Sequence, residues 1–124
     1  MDSEDRLVSA ILRAAHTVHV MLGPGFTEGI YNRALIAELR NSQLEVERNL
    51  SGFGNGPLVV GKHRLDLVVD HSVIVELKAS RTLIPVNVAQ LNSYLHASKF
   101  RVGLLLNFGT TELQWEIVHA PNGE

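Results

Sequence analysis

RLDLVVDHSVIVELKA, residues Arg64 to Ala79, decides how the rest of the chain is read. Two runs rich in Val, Leu and Ile flank Asp70-His71-Ser72, a turn-prone triplet, so the stretch predicts a β-hairpin. Each run sets charged side chains among residues that a sheet would otherwise bury: Asp66 in the first, Glu76 and Lys78 in the second. Side chains alternate along a strand, which places Glu76 and Lys78 on the face of Ile74 and turns Val73, Val75 and Leu77 to the other. The position of Asp66 depends on the turn. If the loop is residues 70 to 72, Val69 pairs with Val73 and Asp66 falls opposite Glu76. If it is only His71-Ser72, the register slips by one and the two carboxylates end on opposite faces.

The first of these registers has a chemical use. Directly opposed carboxylates repel by up to about 1 kcal/mol, and a cation between them removes the repulsion. Two carboxylates supply hard oxygen ligands for Mg²⁺, an ion that keeps several waters and takes further ligands from a phosphate. Such an ion acidifies a water and neutralises charge developing at phosphorus, while Lys78, on the face of Glu76, can orient the water or stabilise the transition state. The backbone carbonyl of Leu77 is also within reach of the ion. The competing reading is a solvated sheet face with a weak cross-strand ion pair; the neighbouring Val and Ile argue against it.

At 124 residues the chain is read as one domain, residues 1–124, long enough for a core. Its 45% hydrophobic and 19% charged residues fit a compact soluble protein and exclude a disordered one. The absence of cysteine excludes disulfides, thiolate metal sites and cysteine nucleophiles. The acidic start MDSEDRLVSA is unlike a signal peptide, and no apolar run reaches the length of a membrane span, so the expected location is cytoplasmic. A net charge of −2 counts against strong nonspecific nucleic-acid binding, although Lys62, Arg64, Lys78 and Arg81 could make one face positive.

Around the hairpin, apolar residues at helical spacing predict a helix from about Glu4 to Leu22, with Ser3 as its N-cap and Leu7, Ile11, Ala14, Ala15, Val18, Met21 and Leu22 inward. Gly23-Pro24-Gly25 ends it. A second helix, capped by Thr27, runs to about Asn41 through Ile30, Tyr31, Ala34, Leu35, Ala37 and Leu39. Leu44 to Leu50 reads as a strand, residues 51 to 57 as a glycine-rich loop, and Leu58 to Val60 as a short strand. Val86 to Ser98 forms a third helix, after Pro85, with Val88, Ala89, Leu91, Tyr94 and Leu95 inward. Phe100 to Asn107 is apolar throughout, as in a strand buried on both faces, and Leu113 to His119 alternates Leu113, Trp115 and Ile117 with Gln114, Glu116 and Val118. The third helix is a crossover, so the strand after it can run parallel to a hairpin strand in a mixed sheet flanked by helices.

These motifs together resemble a known family. Asp66, followed after nine residues by Glu76-Leu77-Lys78, resembles the PD-(D/E)xK nuclease signature, with Leu65 in the place of its proline. Gly25-Phe26-Thr27-Glu28-Gly29-Ile30-Tyr31 matches GxxExxY, the motif naming a family of small proteins in that superfamily, and Gln90-Leu91-Asn92-Ser93-Tyr94 resembles its QxxxY element. The resemblance implies a restriction-endonuclease-like αβββαβ core of mixed α/β class and a metal-dependent nuclease. It implies Mg²⁺ or Mn²⁺ held by Glu28, Asp66 and Glu76, with Lys78 as catalytic lysine and Gln90 and Tyr94 positioning substrate or water. The expected partner is nucleic acid, DNA ahead of RNA, and a homodimer would widen the groove of so small a domain. A nuclease fold used only for binding or assembly is the alternative. Bland roles compete for the outer residues: Glu28 as a first-turn acid, Gln90 and Tyr94 as an amphipathic edge. His16 and His19 have a metal-compatible spacing but no evident acidic or third histidine partner, so surface or core-edge packing is expected of them. His63 and His71 flank the hairpin with nothing to distinguish them.

Overall fold

The structure, a computed structural model, describes residues 2–48, 67–82 and 85–120. Two helices come first, α1 (Ser3–Leu22) and α2 (Glu28–Asn41), followed by strands β1 (Val46–Arg48), β2 (Leu67–Val69) and β3 (Val73–Lys78). Helix α3 (Pro85–Ala97) leads to β4 (Val102–Asn107) and β5 (Gln114–His119). The strands form one five-stranded sheet in the order β1-β2-β3-β4-β5. All neighbours are antiparallel except β3 and β4, which are parallel, as a strand returning through a helical crossover requires.

Local chemistry explains the boundaries. Asp2, rather than Ser3, caps α1: its side chain accepts the Asp5 N–H at 2.9 Å, and Glu4 and Asp5 complement the helix dipole. Gly23 closes the helix at φ 69°, donating its N–H to the His19 carbonyl. Thr27 holds the N-cap position of α2 without a side-chain bond. Pro85, expected to interrupt, opens α3, where its fixed φ suits the first turn.

Two apolar layers sandwich the sheet. Val73, Val75, Leu77, Leu104 and Leu106 face α1 and α2, packing with Ile11, Val18, Leu35 and Leu39. Val68, Ile74 and Leu105 face α3 through Leu91 and Leu95. Gly103 sits beneath Leu91; a Cβ there would lie 2.9 Å from the leucine, so the glycine sets how closely α3 approaches.

Several expected core residues are instead exposed: Met21 and Ile30 on the helices, Ala37 and Ala89 beside them, and Trp115 and Ile117 on β5. Val8, Ile36 and Val118 are buried in their place. For β5 the physical reason is its position at the sheet edge, where the helix layer over its Trp115 face ends. Of the predicted strand 44 to 50, Val46–Arg48 is seen as β1. The expected loop 51 to 57, the strand 58 to 60, Lys62, His63, Arg64 and Asp66 lie outside the described residues.

Candidate active site

The hairpin turn has the register that the chemical reading needs. Leu67 pairs with Val75, Val68 with Ile74 and Val69 with Val73, leaving 70 to 72 as the loop. Asp70 and His71 both adopt positive φ, 50° and 56°, and the Ser72 N–H donates to the Val69 carbonyl at 2.9 Å. Aspartate and histidine tolerate this left-handed conformation better than branched residues. The turn is tied down from outside: the Asp70 carboxylate accepts the Glu45 N–H, and His71 Nε2 lies 2.7 Å from Glu45 Oε1. The histidine thus serves the turn.

Glu76 follows on β3, beside Leu105 of β4 and on the face of Ile74, which α3 covers. Only 1% of it is exposed. Burial pushes its carboxyl from 4.5 up to about 7; the Lys78 ammonium pulls the other way, and the charge of Glu28 adds to the rise. Lys78 Nζ stands 3.5 Å from Glu76 Oε2, an ion pair with the lysine side chain partly open to solvent. Desolvation outweighs that pairing, so near neutral pH Glu76 exchanges its proton readily.

Glu28 is exposed in the first turn of α2, and Tyr31 fixes where that turn begins. Tyr31 is fully buried, stacked on Phe108 with ring centroids 4.7 Å apart. Its hydroxyl donates to the Gly23 carbonyl and accepts the Phe26 N–H at 3.2 Å. One side chain therefore pins both ends of the Gly23-Pro24-Gly25 loop, in which Gly25 takes φ 116°. Glu28 acts electrostatically on Glu76 from this anchored start.

Gln90 and Tyr94 are one turn apart on α3, half-buried beside Leu91 and Leu95 on the Glu76 face of the sheet. Burial lifts the Tyr94 hydroxyl from 10 to about 12, keeping it a proton donor at any working pH. His19 is consumed by packing: it is buried, with Nε2 2.9 Å from the Thr110 carbonyl and its ring 6.1 Å from Phe108. Among the described residues no three His, Asp or Glu side chains cluster around a metal-sized space. Asp66, the remaining carboxylate of the expected set, lies outside them.

Asn107 escaped the sequence reading. It is fully buried next to Lys78 on the parallel strand, where its Oδ1 accepts the N–H of Ser80 and of Gly109, each at 3.0 Å. Its Nδ2 donates to Gln114 Oε1 at 3.1 Å. These bonds join the ends of β3, β4 and β5 just beyond Lys78. A polar residue closing an otherwise apolar run was the available signal.

The donor chemistry suits a hard divalent cation. A buried carboxyl pushed toward neutrality by burial and by a second carboxylate is a site where positive charge is favourable. A search of curated proteins and a search of solved structures each returned no match. A family model described as the PD-(D/E)XK nuclease superfamily, whose members generally use divalent metal ions, matches residues 5–119. With that match spanning the hairpin, the helices on both faces and the mixed sheet between them, the chain belongs to the PD-(D/E)XK nuclease superfamily.

Proposed function

We propose that the chain is a single-domain, metal-dependent nuclease of the GxxExxY type, hydrolysing phosphodiester bonds in nucleic acid, with DNA favoured over RNA. The observation that carries this reading is Glu76: a carboxyl buried in the sheet, held near neutrality, with an ammonium 3.5 Å away. A buried acid so placed costs stability when it ionises, and a bound cation would offset that cost.

Glu76, Glu28 and Asp66 would hold Mg²⁺ or Mn²⁺. The hairpin register supports including Asp66, because a loop of residues 70 to 72 is the one for which the sequence sets it opposite Glu76. When bound, the ion supplies a Lewis acid that lowers the pKa of a water and balances charge at phosphorus. Lys78 orients the attacking water and donates to the phosphate oxygen that gains charge. Gln90 and Tyr94 position substrate from α3, Tyr94 as a permanent donor. The surrounding apolar residues keep the dielectric low, which strengthens each of these interactions.

The test is cleavage of single- and double-stranded DNA and RNA with Mg²⁺ or Mn²⁺. Glu76→Ala and Lys78→Ala should each lose on the order of 10²–10³ in rate or more, with the circular dichroism spectrum retained. Activity that survives both substitutions refutes the assignment. Absence of cleavage on all four substrates favours the second reading, a nuclease fold used for binding or assembly; the acidic net charge of −2 speaks for it.

A further inference from the structure

We infer that β5 is the contact strand of a homodimer, pairing antiparallel with β5 of a second copy to continue the sheet across a twofold axis. The inference is independent of catalysis. It starts from the hydrogen-bond phase of the edge. The Ala120 N–H donates to the Arg101 carbonyl at 2.8 Å, in register with the β4–β5 ladder. Because an antiparallel ladder alternates, Gln114, Glu116 and Val118 turn their backbone groups toward β4. Trp115, Ile117 and His119 turn theirs outward, along the edge of the sheet.

Apart from the charge of Glu116, that edge lacks the usual protections. Gln114–His119 contains no proline or lysine, and its side chains on the α1 face include Trp115, 51% exposed, and Ile117, 39% exposed. The apolar surface continues onto α1 through Val20, which shares a groove with Trp115. Among the described residues no strand pairs with these outward groups, and a regular strand with unpaired backbone groups and large apolar side chains is a template for another strand.

A second copy fits because the strand is complementary to itself. Two identical strands related by a twofold axis pair antiparallel, and outward-pointing residues must oppose one another. Two central registers meet that condition. Opposing Trp115 to Ile117 also brings Glu116 against Glu116 of the other copy, a like-charge pair that destabilises the ladder. Opposing Ile117 to itself sets Trp115 against His119 and Glu116 against Val118, with no charge clash and a continuous Trp-Ile-Ile-Trp stripe. The second register is the one we assign.

Sedimentation equilibrium at micromolar protein is expected to give twice the chain mass of 13.7 kDa. Ile117→Lys and Ile117→Glu should each sediment as monomers, since like charges then meet on the axis, with far-ultraviolet spectra close to the parent's and unfolding still cooperative. An equimolar mixture of the two should recover the doubled mass, because lysine then faces glutamate. A monomeric parent chain overturns the proposal. So does a mixture of folded variants that stays monomeric, since position 117 would not face itself.

Discussion

Glu76 concentrates the energetic tension of the molecule. Its carboxyl titrates near 4.5 when unfolded and at about 7 when folded, so between these values the native state binds the extra proton. Stability is therefore highest below pH 4.5 as far as this group is concerned, and it is lost as pH rises through about 7. The shift corresponds to roughly 3 kcal/mol. Urea unfolding of the parent and of Glu76→Gln in chelator should diverge by an amount of that order between pH 4.5 and 8, the parent losing more as pH rises; parallel profiles would show that the burial does not govern the titration. Tyr31 makes a second prediction. Tyr31→Phe keeps the stack on Phe108 but removes both hydroxyl hydrogen bonds, and should cost about 1–2 kcal/mol in the same measurement.

The junction after β3 depends on close packing of backbone. A Cβ on Gly109 would lie 2.7 Å from the Ala79 carbonyl carbon and closer still to Ser80. Gly109→Ala should destabilise by about 1–3 kcal/mol or more and, by displacing the segment just past Lys78, weaken any cleavage beyond what the stability loss explains. A midpoint equal to the parent's would show that the strand end can yield. The elements themselves were legible from the sequence because their signals are local: period-two alternation separated Glu76 from Val75 and Leu77, and the turn fell at residues 70 to 72, with Asp70 and His71 at positive φ. The crossover through α3 gave the parallel β3–β4 pair. What could not be read depends on the third dimension. Trp115 and Ile117 have the pattern of buried residues, yet β5 lies at the edge. Asn107 looks like a strand terminus until Ser80, Gly109 and Gln114 converge on it. In the candidate site, the shared face of Glu76 and Lys78 was predictable, whereas the degree of burial that moves Glu76 toward neutrality depends on α3 and β4 together.

Across the whole molecule, the two apolar layers bury a sheet whose central strand, β3, carries an ionisable pair. Membership of the PD-(D/E)XK nuclease superfamily gives that pair a chemical context. A divalent ion should relieve the cost of ionising Glu76, so saturating Mn²⁺ is expected to raise the unfolding midpoint more at pH 8 than at pH 5, and to leave Glu76→Gln nearly unmoved. Among the described residues no helix is long and apolar enough to cross a membrane. The most direct measurement is a calorimetric titration of the protein with Mn²⁺ at pH 8. We predict saturable binding in the parent chain that is lost in Glu76→Gln. No binding to the parent, or equal binding to the folded Glu76→Gln variant, would contradict a metal site built on Glu76.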